Sequence, residues 1–213
     1  MALLNEEILQ DVTKMLANLP NPTNLIVFTK VEDCDYCEQI VQLVMEVANT
    51  SEKVTMEVYD FNKDAEKAAE YNIDKAPAIA IVGEKDYGVR FFGLPSGYEF
   101  STLLHGIQSV SKGSSDLDAK TKTFLAGLDE PAHIQVFVTP TCPYCPRSAT
   151  MAIDMAVDNE HVRGDIIEAA EFQELATHYN VMGVPLNIIN ETQRLEGAAS
   201  AEMVVDAIKT SLS

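Results

Sequence analysis

The chain has 213 residues, enough for one or two domains with a sizeable core. Its 46% hydrophobic and 23% charged residues are ordinary for a soluble globular protein. Against 15 Lys and Arg stand 33 Asp and Glu, a net charge of −18; such a surface repels phosphates and excludes nucleic acid and anionic membranes as partners.

The first residues, Met1-Ala2-Leu3-Leu4-Asn5-Glu6-Glu7, lack the basic start and continuous apolar core of a signal peptide. No stretch is long and apolar enough to span a bilayer, so the expected location is the cytoplasm. In that reducing compartment, four cysteines in two close pairs suggest catalysis or metal binding rather than a structural framework.

Residues 3–18 read as an amphipathic helix with Leu4, Ile8, Val12 and Met15 at helical spacing, stopped by Pro20 and Pro22. A short β-rich run, Leu25 to Phe28, leads to Cys34-Asp35-Tyr36-Cys37. A helix follows, with Ile40, Val41, Val44 and Val47 on one face. Val54 to Tyr59 alternates like a strand, and Asp64 is placed to cap a helix running to Tyr71. Pro77 opens the apolar strand Ala78 to Val82; Asp86-Tyr87-Gly88 carries turn chemistry, and Val89 to Phe92 returns. Phe100 to Val110 reads as a closing helix, and Ser111 to Asp116 as a linker.

The sequence then starts over. A helix at about 117–127 precedes Ile134-Gln135-Val136-Phe137-Val138, which leads into Cys142-Pro143-Tyr144-Cys145 and a second helix. A strand from Asp165 to Glu168, a helix ending near Tyr179, Pro185 before Leu186 to Ile189, a return at Arg194-Leu195 and a terminal helix from Glu202 complete the half. An offset of 108 residues places Cys34 and Cys37 on Cys142 and Cys145, Pro77 on Pro185, Asp60 on Glu168, and Tyr71-Asn72-Ile73 on Tyr179-Asn180-Val181. Two CxxC pairs, each followed 43 residues after its first cysteine by a proline before an apolar run, mark an internal duplication. The expected domains are 1–113 and 114–213.

A CxxC pair at a strand-to-helix junction can close a small disulfide ring. The unpaired N–H groups and positive dipole end of the helix favour a thiolate there, and the thiolate is the species that attacks a disulfide. Pro143 presets the backbone near a helix start and Arg147 adds positive charge, both in favour of a Cys142 thiolate. Around the first pair, Glu32, Asp33, Asp35 and Glu38 crowd the site with Lys30 the one close cation in sequence. Like charges disfavour a thiolate; Cys34 is therefore expected to have the higher pKa and its pair to be the more reducing, so that electrons could pass from one pair to the other. The competing role for the first pair is a stabilising disulfide, although so small a loop removes little unfolded-state entropy.

Each half reads helix, β-α-β-α-β-β-α. With CxxC at a strand-to-helix turn and a proline opening the third strand, it resembles the thioredoxin fold; Cys-Pro-Tyr-Cys resembles a glutaredoxin motif. Two such halves, joined through Phe92-Gly93-Leu94-Pro95-Ser96-Gly97-Tyr98-Glu99-Phe100, resemble the protein disulfide oxidoreductases, the tandem glutaredoxin-like proteins of archaea and some bacteria. The resemblance implies an α/β fold of two tandem thioredoxin-like domains, each a mixed four-stranded sheet flanked by helices. It implies Cys142 as nucleophile and Cys145 as resolving thiol, with Cys34 and Cys37 as a second redox pair. Pro77 and Pro185 would be cis and lie against the CxxC pairs. They would thereby present the backbone of Ala76 and Val184 to an extended substrate segment. Thioredoxins also place a buried acid six residues before the first cysteine; here Phe28 and Val136 stand there, which favours the glutaredoxin-like branch and leaves the proton acceptor unassigned.

The implied partners are protein disulfide or dithiol substrates and a thioredoxin reductase-like flavoprotein. No GxGxxG follows a strand in this sequence, so no cofactor is expected besides the redox disulfides, and reducing equivalents come from a separate reductase or a small thiol. Four thiolates can bind zinc, but 105 residues separate Cys37 from Cys142, far beyond zinc-ribbon spacing, and Glu38 and Pro146 stand where c-type haem needs histidine. Two alternatives remain to catalysis on many disulfides. One is a dedicated electron relay to a partner such as a peroxiredoxin, as in the tandem module that opens the alkyl hydroperoxide reductase flavoprotein, whose first half lacks its cysteines. The other is a non-catalytic binding module.

Overall fold

A computed structural model describes residues 2–213; Met1, part of the leader reading above, lies outside the described residues. The first half contains α1 (Glu6–Leu16), β1 (Thr23–Thr29), α2 (Cys37–Ala48), β2 (Val54–Asp60), α3 (Ala65–Glu70), β3 (Ala78–Val82), β4 (Asp86–Phe92) and α4 (Glu99–Lys112). The second contains α5 (Ala119–Ala126), β5 (Ala132–Val138), α6 (Cys145–Asp158), β6 (Val162–Glu168), α7 (Gln173–His178), β7 (Leu186–Ile189), β8 (Gln193–Glu196) and α8 (Ala201–Ser211).

Each half orders its strands alike, β2-β1-β3-β4 and β6-β5-β7-β8, and the two four-stranded sheets join edge to edge into one of eight strands. The seam is a parallel pairing of β4 with β6, from Val89 opposite Gly164 to Phe92 opposite Ile167. Joining here satisfies backbone groups that two separate sheets would each leave open on an edge strand. Because β1, β4, β6 and β5 all run the same way, both strand-to-CxxC junctions emerge at the same edge of the sheet. Large apolar side chains fill both faces. Helices α1, α2, α4, α5, α6 and α8 cover one, and α3 and α7 cover the other.

The structure corrects several local expectations. Helix α1 buries Val12 and Leu16 and exposes Ile8 and Met15, so its inner face is rotated from the one read off the spacing. Asp64 stands at the N-cap of α3, but its carboxylate accepts from Asp60 N–H rather than from the helix. The β3–β4 turn is Gly83 to Lys85, and Asp86 to Gly88 already belong to β4. The Ser111 to Asp116 stretch is packed: Ser111 is a buried residue of α4 that bonds Asn21, Gly113 ends α4 at a φ of 66°, and Ser115 bonds Asp158. Nor is the repeat offset constant. It is 108 for β2 and β6 but 109 for β1 and β5, because the loop from β1 to Cys34 has one residue more than the loop from β5 to Cys142.

Candidate active site

The cysteines form two disulfides, Cys34–Cys37 and Cys142–Cys145. In each, the second cysteine is the first residue of a helix and is buried, while the first lies in the turn that leads in. Pro146 sits within the first helical turn of α6, where its missing N–H costs nothing. The first cysteines differ in exposure: Cys142 is only 8% exposed, whereas Cys34 is half-buried. Beside Cys142 it is Tyr144, 69% exposed, that stands out from the surface.

The peptide bonds Ala76–Pro77 and Val184–Pro185 are both cis. Each proline carbonyl accepts an N–H from a glycine beyond the returning strand, Gly93 to Pro77 and Gly197 to Pro185, which ties the proline loop to the sheet. The Val184 carbonyl oxygen lies 3.6 Å from Cys142 Sγ, so the second site brings Cys142, Cys145, Val184 and Pro185 together. In the first site, Ala76 and Pro77 are buried at the head of β3, beside β1, at the sheet edge where the Cys34 loop begins. There the extra loop residue is accommodated by Asp33 at a φ of 54°, and the Lys30 backbone N–H donates to Cys37 Sγ at 3.2 Å.

Phe28 and Val136 are fully buried apolar side chains with no ionisable group, so neither position supplies a proton acceptor. Sequence reasoning missed the acid that is present. Glu99, the first residue of α4, is 2% exposed, and neither carboxylate oxygen has a hydrogen-bond partner. Burial pushes its carboxyl up to about 7, with Thr102 one turn on the opposing influence. Glu99 lines a cavity with Val138 and Pro140, residues that lead into Cys142. Tyr98 N–H donates to Pro140 O, and a Cβ on Gly97 (φ 59°) would collide with that carbonyl. The first half thus braces the loop of the second site and places a buried acid beside that loop. An acid in a first helical turn ordinarily reads as a dipole partner, which hid this one; the signal was its place in the Phe92–Phe100 connection.

Four strand spacings separate β1 from β5 in the sheet, about 19 Å at ordinary spacing. Passage of electrons from one pair to the other, expected from the sequence, would therefore have to bridge the strands between the two sites. Among the described residues all four cysteines are paired, and no group of three or more His, Cys, Asp and Glu side chains is placed to hold a metal. No helix is long and apolar enough to cross a membrane.

Two CxxC disulfides at matching strand-to-helix turns, each beside a cis-proline strand, define a tandem thioredoxin-fold disulfide oxidoreductase. A family model described as a thioredoxin domain matches residues 24–105 and again 132–209, and the chain belongs to that family. Among curated relatives, an alkyl hydroperoxide reductase of Pseudomonas aeruginosa is 24% identical over 86% of this chain. An NADH dehydrogenase of Bacillus subtilis is 26% identical over 82%. The chain spans only about a third of these relatives, 33% and 31% of their lengths. Among solved structures, a protein disulfide oxidoreductase from Aeropyrum pernix superposes with a TM-score of 0.88 at 28% identity, covering 96% of this chain and 92% of that one. The NTD_N/C domain of alkylhydroperoxide reductase AhpF from Enterococcus faecalis gives the same TM-score at 24% identity, covering 96% and 99%.

Proposed function

We propose that this oxidoreductase exchanges protein disulfides with its second half as the substrate-facing catalyst. The Cys142 thiolate attacks a substrate disulfide, forming a mixed disulfide and releasing one substrate thiolate. Cys145 loses its proton and attacks Cys142 Sγ, which frees the second substrate thiolate and closes the Cys142–Cys145 ring. The reverse sequence oxidises a dithiol. Val184 and Pro185, and Ala76 and Pro77 in the first half, offer backbone to an extended substrate segment. Glu99, poised near neutrality in a cavity beside the Cys142 loop, accepts the Cys145 proton. Cys34 and Cys37 act as a second pair, served independently. The working domains are 1–113 and 114–213, although the continuous sheet makes them one body of β-structure. Reducing equivalents come from a thioredoxin reductase-like flavoprotein or a small thiol, in the cytoplasm.

The observation that carries this reading is the contact of Cys142 Sγ with the carbonyl of Val184, the residue before the cis-proline. It is tested by reduction of insulin disulfides under excess dithiothreitol. We expect Cys142→Ser to remove at least nine-tenths of the turnover above dithiothreitol alone (about 1.4 kcal/mol or more) and Cys34→Ser to remove less. Equal losses would contradict the division of labour, and a wild type no faster than dithiothreitol would reject general reductase activity. A second reading, relay to one peroxiredoxin partner, is favoured by the relatives named as alkyl hydroperoxide reductases. It gains if insulin is refused while a peroxiredoxin disulfide is reduced.

A further inference from the structure

The second half returns the service that Glu99 performs. Glu171, in the turn between β6 and α7, is held by the first half: Leu94 N–H donates to its Oε1 at 2.7 Å, and Gly93 packs so closely that a Cβ there would stand 3.0 Å from the same oxygen. Its Oε2 is buried without a partner. Beside it, Glu168 is 6% exposed; one oxygen accepts from Glu171 N–H and the other, Oε1, has no partner. Both residues line a cavity together with Tyr36, the residue between Asp35 and Cys37. Burial, then Glu168 and Asp35, push the Glu171 carboxyl up, against the Leu94 N–H, to about 7. On its outer side Glu171 borders a groove with Lys30, whose N–H donates to Cys37 Sγ. That groove also carries Asp74, Lys75, Glu174 and His178.

We propose that Glu171, from the second half, is a positioning residue that makes exchange at the first half's Cys34–Cys37 pair depend on pH. The inference rests on the proposal that this pair exchanges at all. An incoming thiolate attacks Cys34 Sγ; the Cys34–Cys37 bond breaks, and its electron pair leaves on Cys37 Sγ, which the Lys30 N–H receives. A second thiolate takes the first from Cys34, so two thiolates become one disulfide and the pair gains two electrons and two negative charges. When Glu171 is protonated, that charge develops next to a cavity, shared with Tyr36, that is walled by a neutral carboxyl. When it is ionised, like charge opposes it. Glu171 therefore opposes the thiolate state of Cys34, and reduction of its pair, above about pH 7 and ceases to do so below it.

The test uses the full chain with Cys142 and Cys145 changed to Ser. Alkylation of reduced Cys34 by iodoacetamide is followed from pH 5 to 10, alone and with Glu171→Gln. Glu160→Gln, the same charge removed in the turn before β6 at the opposite end of the strands, controls for net charge. We expect Glu171→Gln to raise the Cys34 rate at pH 8 by about threefold and to remove an inflection near pH 7, while Glu160→Gln changes neither. Superimposable profiles for Glu171→Gln, or an equal gain in Glu160→Gln, overturn the proposal. If the wild-type first pair cannot be reduced by a small thiol at any pH, the underlying reading of the first pair fails, a result distinct from unchanged profiles.

Discussion

The two redox sites share a scaffold and differ in what surrounds the sulfurs. At the second, a three-residue loop from β5, braced by Tyr98 of the other half, leads into a Cys142 that is nearly covered and lies against Val184. At the first, a loop one residue longer passes through Asp33 in the left-handed region and leaves Cys34 more open, while the N–H it provides goes to Cys37. An acid from the opposite half lines a cavity near each site, buried Glu99 for one and half-buried Glu171 for the other. The surroundings of each CxxC pair therefore come in part from the neighbouring half. Duplication kept the frame, and the edge-to-edge sheet made each half part of the other's environment.

The largest expected effect comes from breaking the brace on one side only. Gly97 holds a φ of 59°, and any Cβ there meets the Pro140 carbonyl. Gly97→Ala must shift either the start of α4 or the loop that carries Cys142, and backbone cannot yield as a flexible side chain can. We expect insulin reduction to fall by about tenfold or more, since a misplacement of about 1 Å at reacting groups has effects of that order. Reduction of the Cys34–Cys37 pair by a small thiol should stay within about twofold. A parallel fall at both sites would mean that Gly97 supports the whole molecule rather than the second site.

Replacing Glu99 sharpens the comparison through stability. Its folded carboxyl is raised from 4.5 to about 7, so between those values the native state keeps a proton that the unfolded chain has released. Stability from this group is fully present below pH 4.5 and is lost as pH rises through 7. Glu99→Gln has no such loss. Relative to wild type it should gain on the order of 2 kcal/mol between pH 4 and pH 8 in urea unfolding. Glu171 lies in the same window, so the wild-type slope should be reduced rather than abolished. At the same time, the variant should turn over insulin more slowly, because an amide cannot take the Cys145 proton. A variant with unchanged turnover would assign the buried acid to structure alone.

Much of this was legible because it is written locally. The spacing of Cys34 and Cys37, Pro77, Cys142 and Cys145, and Pro185 announced the duplication, and apolar runs such as Ala78 to Val82 announced central strands. Even the left-handed residue after the short helix repeats, at Asn72 and Asn180. What could not be read depends on distant segments meeting. The β4–β6 seam has no local signature, because an edge strand buried by its neighbour looks like any central strand. Neither Glu99 nor Glu171 differs in sequence from a surface acid; burial by the other half makes them unusual. The single-residue mismatch in offset was hidden because counting from cysteine to proline skips the loop where it occurs.

That mismatch gives the smallest and most local test. Asp33 is a non-glycine residue at a φ of 54°, in a loop that has no counterpart of equal length at the second site. Glycine adopts this conformation without the Cβ penalty but brings more freedom to the unfolded chain, so the two effects partly cancel. Asp33→Gly should change unfolding stability by no more than about 0.5 kcal/mol. It also removes one of the acids beside Cys34, so Cys34 alkylation near neutral pH should rise by about twofold. The Cys142 profile should not move. If stability drops by much more than this, the Asp33 side chain is holding the longer loop in place, and the difference between the two sites lies in that carboxylate rather than in loop length.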